Sequence, residues 1–186
     1  MASMVFRLWE KQDRARFRAV TELAQSSFVR FGEYRDFIGQ LMLYDGITTG
    51  MLLDAACPEG NDVAGFVIAG IVPLGKDSQM QGNILAIALA EPYRYRKLGG
   101  YLLQQGILII QDKSQKYYYL YGNVESIGLT VAIDNHPAIR LFSRFGFTFV
   151  PETEKHYYAS GVQACEMTRP LHLPSDKKPD SDIITI

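Results

Sequence analysis

The chain has 186 residues, 47% hydrophobic and 21% charged, with a formal net charge of -1. That length suits one domain with room for a substantial core, and the near-neutral charge argues against a protein that holds nucleic acid by a broad basic surface. Two cysteines, Cys57 and Cys165, give neither a disulfide framework nor metal-ligand spacing. They read as buried thiols in a reducing cytoplasm. The first residues lack the apolar stretch of a signal peptide, and no apolar run is long enough to span a bilayer. The expectation is therefore a cytoplasmic protein with no metal, no nucleic-acid partner and no membrane anchor.

In chain order, Val5 to Trp9 alternates as a short strand. Asp13 fits a helix N-cap, and Phe17, Val20, Leu23, Ala24 and Phe28 recur at helical spacing until Phe31 and Gly32 close the helix. Arg14, Arg16 and Arg18 read as its solvated face. A second helix spans Tyr34 to Leu43, with Phe37, Leu41 and Tyr44 on one face. Thr48 to Cys57 and Val63 to Val72 read as a hairpin around the turn-forming Pro58 to Asp62, and Pro73 to Asn83 as a polar loop.

The next stretch organises the rest. Ile84 to Ala90 is an apolar run with the look of a buried strand, broken by Glu91 and Pro92. Arg94, Arg96 and Lys97 follow, then Gly99 and Gly100, then Leu102, Leu103, Gly106, Ile107 and Ile110 at helical spacing. A helix start offers unpaired N–H groups and a positive dipole end, glycines let a ligand approach the main chain, and arginine suits phosphate geometry. This strand, basic turn and helix can form a pyrophosphate cradle; it also fits an ordinary turn with solvated basic residues. Neither G-x-x-x-x-G-K-[ST] nor G-x-G-x-x-G occurs, which excludes the two common nucleotide loops.

Beyond it, Tyr117 to Tyr121 reads as a strand with tyrosines on one face, and Ile127 to Ile133 as another. Asp134-Asn135-His136-Pro137 is a helix-start signal, with Ala138, Leu141, Phe142 and Phe145 at helical spacing and Gly146 as the stop. Phe147 to Val150 and Val162 to Arg169 read as the last strands. Residues 1–173 form one domain on this reading, and 174–186 a loosely ordered tail rich in Pro, Asp and Lys.

Residues Asn135 to Phe147 resemble the N-x-x-A-x-x-L-[YF]-x-x-x-G-F signature of the GNAT superfamily of N-acetyltransferases, and Arg94 to Gly99 resembles its R-x-x-G-x-G hallmark. The two stand in the family's order, one helix and one strand apart. The resemblance implies an α/β (α+β) fold, a mixed, twisted sheet of about seven strands flanked by helices on both faces. It implies transfer of an acetyl group from acetyl-coenzyme A to a primary amine, on a small molecule or a peptide N-terminus, or else a non-catalytic acyl-coenzyme A binder on the same fold. A homodimer is left open.

Carried over residue by residue, the resemblance puts the pyrophosphate on Arg94, Tyr95, Arg96, Lys97, Leu98, Gly99 and Gly100. It puts the pantetheine arm on the main chain of Ala88, Leu89 and Ala90, and the thiol end against Asn135 and Phe142. Lys97 stands where the first motif glycine is usual, which is harmless if the turn needs no positive φ there. Phe142 stands where many members carry a tyrosine acid. Glu91 is the first choice of base, ahead of Asp54, His136 and the His156, Tyr157 and Tyr158 group, from which Tyr157 is the catalytic candidate. His156 to Met167 is similar to the last hairpin of protein N-terminal α-amine acetyltransferases, with Thr130 where those enzymes often carry a glutamate.

Overall fold

The computed structural model describes residues 3–74, 79–151, 156–158, 160–171 and 183–185. The chain opens with β1 (Ser3–Leu8), α1 (Arg14–Ser27) and α2 (Glu33–Leu43). Three strands follow, β2 (Ile47–Asp54), β3 (Val63–Leu74) and β4 (Gln79–Leu89), then α3 (Leu98–Lys116) and a single turn, α4 (Tyr118–Tyr121). The last part is β5 (Ser126–Ala132), α5 (His136–Arg144), the short β6 (Thr148–Phe149) and β7 (His156–Tyr157), β8 (Gln163–Pro170) and β9 (Ile183–Thr185).

All strands join one mixed sheet in the order β6-β8-β5-β4-β3-β2-β1-β9, with β7 also on β8. Because β6 and β7 share one edge of β8 at different registers, the sheet from that edge to β1 has the expected seven positions. The pairing of β4 with β5 is parallel and the others are antiparallel.

The two faces carry separate cores. Leu102, Leu103, Ile107 and Ile110 of α3 pack with Val67, Ile84, Leu129, Val131 and Phe142 on one face. Val20 and Ala24 of α1 and Ile38, Leu41 and Met42 of α2 pack with Phe66, Ile68, Ala86 and Ala88 on the other. Each fully buried leucine or isoleucine contributes about 1.5–3 kcal/mol. Gly106 brings α3 close to the sheet: a Cβ there would lie 2.8 Å from Val67 Cγ2 and 2.9 Å from Ile84 Cδ1.

Strand β4 changes phase in its middle. Ile84 packs toward α3, whereas Ala86 and Ala88 pack toward α1 and α2. Its register against β3 slips there, Ala69 opposing Ile84 and Ile68 opposing Ala86, which leaves Leu85 as an extra residue. An extra residue in a period-two strand exchanges the faces beyond it and turns the strand. Apolar character alone did not reveal this bulge.

Several expectations need correction. Tyr117 to Tyr121 is not a strand: the Tyr117 N–H still bonds the Lys113 carbonyl, and the helical path persists as α4 until Gly122 ends it at φ +64°. With Tyr119 and Leu120 exposed, no sheet is at hand to reward the β preference of the tyrosines. The stretch from Pro73 to Asn83 is not a loop, since β3 and β4 pair through Leu74 and Gln79, with 75–78 outside the described residues. On α2 the buried face is Ile38, Leu41 and Met42, while Phe37 and Tyr44 are exposed.

The first helix ends at Ser27 and is followed by a 3-10 turn, Val29–Phe31. Arg16 is not solvated: it lies between Asp13 and Asp62, at 2.8 Å from each. Both cysteines are half-buried rather than buried. Within the segment expected to be loose, Ile183–Thr185 pair antiparallel with β1; residues 172–182 and 186 lie outside the described residues.

Candidate active site

Strands β4 and β5 pair only at Gly82 with Ile127 and Asn83 with Gly128. Beyond that point they separate, and the gap is a cavity of about 300 Å³. Its walls are Asn83 to Ile87 of β4 and Leu129 to Ala132 of β5. Asn135, Ala138 and Phe142 of the α5 region line it on the sheet face that carries α3 and α5. Phe28, Phe31, Tyr34 and Tyr158 line it on the face of α1 and α2. The gap is thus lined from both faces of the sheet.

The edge of β4 that borders the gap is a rail of main-chain groups. The Ala90 N–H donates to the Ala64 carbonyl at 2.9 Å. Antiparallel ladders alternate, so Ala88 and Ala86 also turn their N–H groups to β3, and Ile87 and Leu89 turn theirs to the gap. Of Ala88, Leu89 and Ala90, only Leu89 therefore directs its N–H outward, and Ile87 joins it, while the Ala90 N–H is committed to Ala64. Arg94 Nε binds the Leu89 carbonyl at 3.1 Å, which ties the basic turn to the end of the rail.

That turn is strained at two places. Tyr95 has φ +63° and Lys97 φ +64°. Lys97 is the N-cap residue of α3 in the left-handed region, so the motif position does need a positive φ, contrary to the condition under which a lysine there is harmless. No side chain caps α3, and its first turn holds no acid. The N–H groups of Gly100 and Tyr101 return to the Lys97 carbonyl, leaving those of Leu98 and Gly99 at the head of the helix. Arg94, Arg96 and Lys97 are exposed beside them and form no salt bridge among the described residues. Gly99 and Gly100 adopt ordinary helical φ; a Cβ on them would touch Leu141 at 3.5 Å and Phe145 at 3.6 Å, so these glycines bring the first motif against α5 and the second.

Asn135 caps α5, its Oδ1 accepting from the Ala138 N–H at 3.3 Å, and it borders the gap. Phe142 is buried against Phe147, edge to face at 6.0 Å, with its ring on the gap and no hydroxyl to offer. Glu91 opens an exposed 3-10 turn past the end of β4 and does not line the gap. Asp54 lies on β2 and accepts from Tyr93 Oη at 2.9 Å, away from the gap. His136 is exposed on the first turn of α5. The side chains of His156 and Tyr157 lie outside the described residues.

Sequence reading missed the aromatic mouth. Tyr34 Oη donates to the Leu85 carbonyl and Tyr158 Oη to the Thr130 carbonyl at 3.4 Å, so the two phenols sit on the two strands that flank the gap. Phe31 and Tyr158 pack at 4.4 Å, and Tyr34 and Tyr158 at 5.9 Å. Burial pushes the Tyr158 phenol up to about 12 and raises that of Tyr34 as well, so both are neutral near pH 7. Arg30 holds Asp134 at 2.5 Å across the mouth, which keeps that carboxyl below its ordinary value, and Ser160 Oγ donates to the Arg30 carbonyl at 2.7 Å. The spacing of Phe28, Phe31 and Tyr34 carried the signal, but nothing local told which sheet edge it would meet.

The site is thus an N–H rail and a cationic helix start on one side of the sheet and, on the other, an aromatic mouth bordered by the Arg30–Asp134 pair. Residues 17–147 match the model of the Acetyltransferase (GNAT) family. The chain belongs to that family.

Among relatives, it is 40% identical over 91 residues to an N-alpha-acetyltransferase of Sulfolobus acidocaldarius, a match covering 49% of each chain. The chain spans about half the length of the curated relatives it matches. Its fold is that of Arabidopsis thaliana NAA60 in complex with acetyl-CoA (TM-score 0.66, 19% identity, 90% of this chain and 98% of that one). It is also that of a chain of the NatC complex bound to Gag peptide and CoA (TM-score 0.64, 18% identity, 91% and 99%).

Proposed function

We propose that the chain is an acetyl-coenzyme A-dependent N-acetyltransferase whose acceptor is the α-amino group of a peptide. Acetyl-coenzyme A supplies the acyl group as a thioester. The residues present suit it: Leu98 and Gly99 N–H groups with Arg94, Arg96 and Lys97 would hold its phosphates. The outward N–H groups of Ile87 and Leu89 would pair with its amide arm as a further strand would, and one of them would bind the carbonyl oxygen that gains charge during transfer. Asn135 and Phe142 would border the sulfur end. Glu91 and Tyr157 carry no role in this reading, which does not need them.

One observation carries the choice of acceptor. Among the described residues lining the gap, none is Asp, Glu, Lys, Arg or His. Such a lining offers no anion in direct contact with a polyamine or a lysine side chain, and the Asp134 carboxylate at its mouth is already held by Arg30. An ε-amine with pKa about 10.4 is only about 0.1% neutral near pH 7.5, whereas an α-amine with pKa about 8 is about a quarter neutral. An uncharged aromatic gap therefore favours the α-amine. The relative named an N-alpha-acetyltransferase supports the same class. The reading also places the chain in a reducing cytoplasm, where the two free cysteines remain thiols.

Calorimetric titration with acetyl-coenzyme A, with coenzyme A and ATP as comparisons, followed by thiol release with peptide and polyamine acceptors, tests this. Saturable binding with peptide-dependent thiol release supports it. Binding without turnover of any amine would instead favour a non-catalytic acyl-coenzyme A binder, for which the missing hydroxyl at Phe142 is the motivating observation.

A further inference from the structure

We propose that Glu166, on β8, takes up the proton released by the acceptor amine, through a water held against Thr130. This rests on the acetyl-transfer reading above. An α-amine at pH 7 is mostly ammonium and must lose a proton before it can attack. Among the described residues lining the gap, none can accept it: their side chains are apolar, amide or hydroxyl, and burial keeps both phenols neutral.

The ladders around the gap supply the missing group. The cross-strand partners of the lining residues are Gly70, Ala69, Ile68 and Val67 on β3, Gly128 on β5, and Met167, Glu166, Cys165 and Ala164 on β8. Glu166 is the one carboxylate in that set, and it stands directly opposite Thr130.

The direction of its side chain follows from the packing. Leu129 and Val131, and their partners Met167 and Cys165, pack in the core under α3 and α5. Thr130 and Glu166, one residue removed in each strand, point to the other face, that of α1, α2 and the aromatic mouth. Directly opposed residues hold their Cβ atoms about 4.5–5.5 Å apart, and a glutamate spans that distance. Thr130 is the exposed residue of an otherwise largely buried strand, so its side chain meets open space. Tyr158 Oη rests on the Thr130 carbonyl and marks that space as part of the mouth.

Among the described residues, Tyr158 of the β7–β8 hairpin bonds the carbonyl of Thr130, the residue across from Glu166, and Tyr34 of α2 lies beyond it. Strand β5 (SIGLTVA) and β6 (TF) bring no titratable side chain. Cys165 and Arg169, on β8 itself, project to the opposite face.

The step balances. The acceptor ammonium gives one proton through water to the Glu166 carboxylate. The freed nitrogen lone pair forms the C–N bond to the thioester carbon. The C–S bond breaks, sulfur leaves with the electron pair and receives the second proton from nitrogen, and Glu166 returns its proton to solvent.

The test is Glu166→Gln with a free-amine peptide across pH 6–9. It should lower kcat/KM at pH 7 by about 100-fold and only a few-fold at pH 9, where the amine deprotonates unaided, with acetyl-coenzyme A affinity unchanged by calorimetry. The exchange Thr130→Glu with Glu166→Thr returns a carboxylate to the same place from the other strand and should recover most of the loss. In 13C-labelled protein loaded with coenzyme A, the Glu166 carboxyl resonance at pH 7 should move when free-amine peptide is added and not when the peptide is N-acetylated.

A loss equal at both pH values and not recovered by the exchange would mark a structural role and overturn the proposal, as would kcat/KM within three-fold of wild type. If the wild type itself transfers no acetyl group, the parent reading fails, and the carboxyl resonance still decides whether Glu166 meets an amine.

Discussion

Replacing Lys97 by glycine should move stability and cofactor affinity in opposite directions. Lys97 is held at φ +64° at the head of α3, a conformation that costs a side-chain-bearing residue about 1–2 kcal/mol. Lys97→Gly removes that strain but gives the unfolded chain more freedom, which takes back about 0.4–1 kcal/mol. The net gain is about 0.5–1 kcal/mol, a rise in Tm of about 1–4 °C for a domain of this size. The same change deletes an exposed ammonium beside the proposed phosphate site, worth about 0.5–1 kcal/mol, so the Kd for acetyl-coenzyme A should rise about two- to fivefold. Lys97→Ala separates the two effects, since it keeps the strained backbone and loses the charge. It should match Lys97→Gly in affinity and stay near wild type in Tm. Thermal melts of the free protein and calorimetric titrations of all three decide it. A lower Tm for Lys97→Gly would refute the strain argument, and an unchanged Kd in both variants would refute the placement of the phosphates.

Asn135→Ala removes the α5 cap and should cost about 1 kcal/mol, seen as a Tm lower by about 2–4 °C, whereas Asn135→Asp should keep most of it. Gly106→Ala gains about 1 kcal/mol of helix propensity but drives a methyl into Val67 and Ile84, at a cost of about 1–3 kcal/mol. Urea unfolding should show no net gain, and displacement of α3 should weaken acetyl-coenzyme A binding. The raised Tyr158 phenol gives a pH dependence of definite sign. Its folded value of about 12 lies above the ordinary tyrosine value of 10.0, so its contribution is complete below about pH 10 and is lost as pH rises toward 12. Tyr158→Phe should flatten that alkaline loss in pH-dependent melts while leaving stability between pH 6 and 9 without a new titration.

Legibility in the sequence followed the range of the interactions involved. The central strand, basic turn and helix, and the Asn135 cap with its helix, were readable because caps, turns and amphipathic spacing act over a few residues. The bulge at Leu85 was not, since a run of Ile, Leu and Ala looks the same in either phase; only the partner strand shows where the faces exchange. Tyr117 to Tyr121 misled because helical hydrogen bonding carried on from α3 outweighed β preference in residues with no sheet to join. Arg16 misled because its partner Asp62 is 46 residues away. The aromatic mouth assembles Phe28, Phe31, Tyr34 and Tyr158 from opposite ends of the chain, and Glu166 gains its meaning only from its place across from Thr130.

The most direct test of the central claim is to incubate the protein with acetyl-coenzyme A and a peptide that has both a free N-terminus and an internal lysine, then locate the acetyl group by fragment mass spectrometry. The account predicts a single acetyl group on the α-amine and none on the lysine, with no product from the N-blocked peptide. Acetylation of the lysine side chain alone, or of the N-blocked peptide at a rate equal to the free one, would contradict it.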